Sequence, residues 1–200
     1  MKLTLADIAD VRAYERERLD FRAHVIALKK RRRVHVGPVV TLVFENRDTI
    51  RFQIQEMARV EKLLTDEAIQ GELDTYNSLV PDPGQLCATL FIELTADAEM
   101  REWLPKLVGI ERSLALRVGP GEEATLLRAK PEEAHASHLT RDEITASVHY
   151  VYWDLTQDEV ALVERGPIAL VIDHPAYDDA TILVAATVQE LVGDLRGTRS

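Results

Sequence analysis

Three carboxylates and two imidazoles in this chain stand where an ionisable side chain is costly to keep. Glu45 closes the apolar run that begins at Val39, Glu56 falls within a helical pattern, and Glu93 follows Ala88-Thr89-Leu90-Phe91-Ile92. A carboxylate in mainly apolar surroundings must be paired, protonated or bound to a metal ion. His149 falls mid-strand beside Tyr150, Tyr152 and Trp153, and His174 sits in Asp173-His174-Pro175. There the proline fixes the backbone, and the aspartate is placed to orient the imidazole as a carboxylate does behind a metal-bound histidine. If these groups met, their oxygen and nitrogen donors would suit iron, manganese or zinc, so Glu45, Glu56, Glu93, His149 and His174 are the candidate metal ligands. Ordinary structure explains the same letters: Arg47, Arg51 or Arg59 can pair the acids, and a polar turn accounts for His174. Asn46 and Arg47 at a strand-to-helix junction, and Tyr76 and Asn77 at a helix end, are the candidate binding residues. Asn77 as a helix C-cap is the plainer reading of that pair. Glu132-x-x-His135, with His138, is the one clear Glu-x-x-His spacing, and it falls in an expected loop.

No GxGxxG, Walker A loop, paired CxxC, HExxH or GxSxG is present, so nucleotide, structural-zinc, metalloprotease and hydrolase readings lack their usual support. A formal net charge of -10, from 34 acidic and 24 basic residues, repels phosphate backbones and argues against nucleic acid. The exception is Lys29-Lys30-Arg31-Arg32-Arg33, either a docking surface for an acidic partner or a solvated helix end favoured by the helix dipole. Cys87 is the single cysteine, which excludes an internal disulfide. The apolar runs are shorter than the roughly 20 residues of a membrane helix, and no signal peptide is legible, so the expected location is cytoplasmic with no membrane partner.

Hydrophobic periodicity supplies the elements that must position these groups. Residues 4–32 read as helix with one interruption, 33–36 and 39–45 as strands around Gly37-Pro38, and Asp48 or Thr49 as the start of a helix carrying Ile50, Ile54, Met57, Ala58 and Leu64. Thr65 caps a further helix that Pro81 ends, making a helical hairpin. Strands follow at 86–94, 113–118, 124–129, 144–153, 168–172 and 181–185, with short helices at 97–104, 156–164 and 187–195 and a loop at 130–142. The order predicts an α+β fold, a mainly antiparallel sheet with N-terminal helices and a helical hairpin packed on it. A single compact domain over 1–200 is expected, with lobes at 1–84, helix-rich, and 85–200, strand-rich.

Phe21-Arg22-Ala23-His24, Phe44-Glu45-Asn46-Arg47-Asp48-Thr49, Gln53-Ile54-Gln55-Glu56-Met57, Asp74-Thr75-Tyr76-Asn77, Ala88-Thr89-Leu90-Phe91-Ile92-Glu93, Ser147-Val148-His149-Tyr150 and Asp173-His174-Pro175-Ala176-Tyr177 together resemble a bacterial family known only as a domain of unknown function, family 3501. Members of that family are often encoded beside rubrerythrin-like di-iron proteins and iron-sulfur proteins. The resemblance implies a link to redox or peroxide handling, favours iron as the metal, and carries over no ligand set. Three functions remain open. The first is a cytoplasmic, redox-associated accessory protein binding a metal ion through the five candidate ligands. The second is a non-catalytic module docking on a rubrerythrin-like or iron-sulfur partner through residues 29–33, with a homo-oligomer also allowed. The third is an enzyme holding a small anion at Arg47, Arg51 and the helix start near Asp48.

Overall fold

The computed structural model describes residues 1–132 and 144–198. Two antiparallel sheets face each other. The first has the strand order β1 (Arg33–Val36), β2 (Val40–Glu45), β3 (Gln85–Ile92), β7 (Val148–Asp154), β6 (Lys130–Pro131). The second runs β5 (Thr125–Arg128), β4 (Leu114–Val118), β8 (Ile168–His174), β9 (Tyr177–Ile182). Between them lies the main core, including Leu42, Phe44, Leu90 and Trp153 from one sheet and Leu116, Leu170 and Ile172 from the other. The outer face of the five-stranded sheet buries a second cluster, in which Cys87 meets Ile50 and Ile54 of α2 (Arg47–Glu61) and Leu73 of α3 (Asp66–Tyr76). The architecture is α+β, as expected. Both lobes of the sequence supply strands to the five-stranded sheet, and β2 is buried along its whole length because it is covered on both faces.

Residues 11–32 form one uninterrupted helix, α1, capped by Asp10, whose side chain accepts from the backbone N–H groups of Arg12 and Ala13. The charged stretch Tyr14–Arg18 does not break it. Those residues reach α2, with Arg18 on Glu56, Arg51 on Glu17 and Arg59 on Glu15. An interface zipped by ion pairs has no apolar stripe, so the period that signals a helix is missing there. Asn46, two or three residues before the expected start, caps α2 by accepting from the Thr49 N–H at 3.0 Å.

Two further corrections concern the second half. β7 begins at Val148, so residues 144–147 lie before the strand, although the alternation within it holds: His149, Val151 and Trp153 are buried on the inter-sheet side. β8 and β9 form a tight hairpin through Pro175-Ala176, so the second strand is 177–182 and α6 (Ala185–Leu195) starts where a strand was expected to end. The other short helices are α4 (Asp97–Trp103) and α5 (Gln157–Arg165). Tyr177 joins the sheets. Its hydroxyl donates to the Val36 carbonyl at 2.6 Å and accepts from the Val39 N–H at 3.2 Å, across the turn that Gly37 makes at a φ of +65°.

Candidate functional site

Register decides which side chains can meet. β2 and β3 pair Glu45 with Cys87 and Val43 with Thr89, and β3 and β7 pair Cys87 with Tyr152 and Thr89 with Tyr150. These positions face the helical layer, because the alternate residues Phe44, Ala88, Val151 and Trp153 belong to the inter-sheet core. A carboxylate, a thiol, a hydroxyl and two phenols therefore share one patch of sheet beneath α2.

Glu45 is 2% exposed. Its Oε1 accepts from the Thr89 hydroxyl at 2.7 Å, and its Oε2 is fully buried with no hydrogen-bond partner. The pairing that would make it an ordinary structural acid does not form. Arg47 turns to Asp7 at 2.5 Å, Arg51 to Glu17 at 2.9 Å and Arg59 to Glu15 at 2.5 Å. Among the described residues no cationic side chain reaches the Glu45 carboxylate. Its neighbours are held in their uncharged forms. Burial pushes the Cys87 thiol up, with Glu45 and Glu132 adding to it, and burial raises the Tyr150 phenol, with Tyr76 and Glu45 adding and a hydrogen bond to Gln53 opposing.

The other four expected ligands lie elsewhere, each with partners of its own. Glu56 accepts from the Tyr14 hydroxyl at 2.7 Å and from both arms of Arg18 at 2.7 and 2.9 Å, which hold its carboxyl below the usual range. Glu93 lies just past the end of β3 and is exposed, accepting from the Thr41 hydroxyl at 2.8 Å and facing Arg33 at 3.4 Å. His149 is on the opposite face of the sheet from Glu45, with Nε2 2.9 Å from the Ala146 carbonyl and 2.8 Å from the Thr145 hydroxyl; burial pushes its imidazole down, against the pull of Glu111. His174 donates through Nε2 to the Val108 carbonyl at 3.1 Å and accepts at Nδ1 from the Ala176 N–H at 3.2 Å. Asp173 does not orient that imidazole, since Arg128 takes both its oxygens, one at 2.7 Å. Among the described residues, no three His, Cys, Asp or Glu side chains converge as a metal would require. Glu132 is described and its N–H donates to the Tyr150 carbonyl; His135 and His138 lie outside the described residues.

The binding candidates have structural duties. Asn46 caps α2, and Asn77, at the C-terminal end of α3, pins the N-terminal segment by accepting from the Leu3 N–H and donating to the Leu3 carbonyl at 2.8 and 2.9 Å. Tyr76 packs against the cluster that contains Cys87. Of the basic run only Arg32 is buried; Lys30, Arg31 and Arg33 are exposed. Arg31 pairs with Glu190, and fully buried Arg32 grips Asp194 at 2.7 and 2.8 Å and reaches Glu190 at 3.2 Å. Arg33 meets Glu93, so Lys29 and Lys30 alone of the five lack an ion pair among the described residues.

Two clefts flank the patch. One of about 410 Å³ opens at the start of α2, lined by Asn46, Arg47, Asp48 and Asp194. The other, about 480 Å³, is lined by Lys2, Asp82, Cys87, Glu132, Tyr152 and Asp154 among others. Sequence reading missed Cys87, Thr89 and Tyr150 as companions of Glu45, and Arg32 as a buried charge. Thr89 carries the only legible signal, a polar residue inside an apolar run.

The sequence pattern of a family described as "Protein of unknown function (DUF3501)" matches residues 2–195. No curated protein matches. A crystal structure described as a novel protein of unknown function from Burkholderia pseudomallei K96243 is similar over 98% of this chain and 100% of its own, at 38% identity and a TM-score of 0.87. No helix among the described residues is long and apolar enough to cross a membrane.

Proposed function

The chain belongs to the family of unknown function described above, and, proceeding from that membership and from the geometry at the end of β2, we propose that it is an accessory protein that binds a small ligand at Glu45. The carrying observation is the unpartnered Oε2 of a carboxylate that is 2% exposed, while three arginines on the adjoining helix pair with other acids. A buried carboxylate without a cation costs several kcal/mol of desolvation (roughly, after relaxation), so a ligand that brings positive charge or N–H and O–H donors there gains most of its affinity from repairing that deficit.

Binding is favoured over catalysis by the companions. Cys87 and Tyr150 are pushed toward their protonated forms, so neither is an activated nucleophile or base, and His149, on the strand that carries Tyr150 and Tyr152, faces the other side of the sheet. The setting in redox or peroxide handling rests on the rubrerythrin-like and iron-sulfur proteins encoded beside members of the family. Of the five residues expected to hold a metal ion, this reading keeps Glu45 alone.

The test is native mass spectrometry of untagged wild-type protein and Glu45→Gln. The wild type carries one small molecule or ion per chain and E45Q does not, while the melting temperature of E45Q without ligand equals or exceeds that of the wild type. Identical bare masses, together with a destabilised E45Q, would make Glu45 an ordinary structural residue.

A further inference from the structure

Resting on the Glu45 reading, we infer that the ligand is a primary alkylammonium, entering from the cleft at Asp82, Glu132 and Asp154 and placing its charged end beside Glu45. Charge matching carries the first step. The patch offers one carboxylate, the Thr89 hydroxyl and the uncharged side chains of Cys87 and Tyr150, and among the described residues no further His, Asp or Glu completes a set of three metal-binding groups. A divalent or trivalent ion there would keep surplus positive charge in a poorly solvated site. A single ammonium balances a single carboxylate, and its N–H donors would be met by Glu45 Oε2 and by the oxygen of the Thr89 hydroxyl, which lies 2.7 Å from Glu45 Oε1.

The route carries the second step. Cys87 and Tyr152 line the cleft and occupy the same row of the sheet as Glu45, which is one strand further in, about 4.7–4.9 Å in the hydrogen-bonding direction. Among the described residues, three carboxylates face Lys2 and the N-terminal ammonium, which lies 3.9 Å from Asp82, so acids outnumber cations by one and the cleft keeps a modest preference for cations. It already holds an ammonium of the chain's own: Lys2 Nζ donates to the Val80 carbonyl at 2.6 Å and lies 3.4 Å from Asp82. A volume of about 480 Å³ suits a small molecule. The alkyl stem of the ligand would lie against Cys87 and Tyr152, with its charge at the buried acid and its far end in the cleft.

Calorimetric titration at fixed ionic strength tests this with n-butylammonium chloride, tetramethylammonium chloride and manganese(II) chloride, on wild type, Glu45→Gln and Asp82→Asn. The expected result is one saturable n-butylammonium site in the wild type, weakened roughly tenfold or more in E45Q and less in D82N, with no site for tetramethylammonium, which has no N–H donor. E45Q is close in shape to the wild type, and its unchanged circular dichroism and melting would exclude misfolding as the cause. Manganese binding that depends on Glu45, without n-butylammonium binding, would overturn the ammonium inference and leave the Glu45 reading standing. Saturable binding of n-butylammonium that is equal in E45Q would overturn the inference by placing the site in the cleft alone, and absence of binding by any probe would overturn it outright, the mass measurement on untagged protein then deciding the broader reading separately.

Discussion

Replacing Glu56 with glutamine removes the charge that Arg18 grips with two bonds and that the Tyr14 hydroxyl also contacts, and should lower unfolding stability by about 1–2 kcal/mol in urea denaturation. Its folded carboxyl titrates below the unfolded one, so this contribution is present above the ordinary glutamate range and disappears as pH falls through the lowered value. The opposite expectation at Glu45, where glutamine costs the unliganded protein nothing, follows from the unpartnered oxygen. His149 gives a second pH dependence. Burial holds its folded value below the ordinary 6.5, so the unfolded chain binds more protons, and stability is complete above about pH 6.5 and declines below it. Between pH 6.5 and 5.5 the wild type should lose stability with a slope of at most about 1.4 kcal/mol per pH unit that His149→Gln lacks, read from denaturation midpoints at successive pH values.

At the scale of elements, the junction of α1 with α6 depends on charge. Arg32 is wholly buried against Asp194 and Glu190, and the Thr187 hydroxyl donates to the Arg31 carbonyl at 2.6 Å. Arg32→Met would leave two acids buried without their cation and should destabilise by about 3–5 kcal/mol, with Asp194→Asn in the same chain restoring part of the loss in a double-mutant cycle. The five-cation run shows why such a role is hard to read: one helical turn carries an exposed lysine and a fully buried arginine, and only the helix packed against it distinguishes them. β2, β3 and β8 are legible because apolar runs between turn residues leave few alternatives. α1 is legible only in part, since its packing face is charged, and β9 is shifted because Tyr177, taken for a loop residue, is the buried first residue of that strand.

For the whole molecule, the arrangement of two sheets and a helical layer follows from alternation, but which polar residues meet follows from register, and register is set by turns. Gly37 is the clearest case. A Cβ there would fall against Asp179 and the Tyr177 hydroxyl, on a backbone already at positive φ. Gly37→Ala should therefore cost about 1–2 kcal/mol for the backbone alone, and more once the Tyr177 link between the sheets shifts, as thermal unfolding would report. The strand pairing that places Glu45 beside Cys87 and Thr89, while sending His149 to the other face, could not be read from spacing, because strands of such different sequence separation align only in the folded sheet. The central claim is that the Glu45 carboxylate is completed by a bound group. A crystal structure of the untagged protein grown with n-butylammonium tests it most directly: the account predicts a ligand nitrogen about 2.7–2.9 Å from Glu45 Oε2 in the wild type and none in E45Q, whereas a protein side chain or the same ordered water beside residue 45 in both crystals would contradict it.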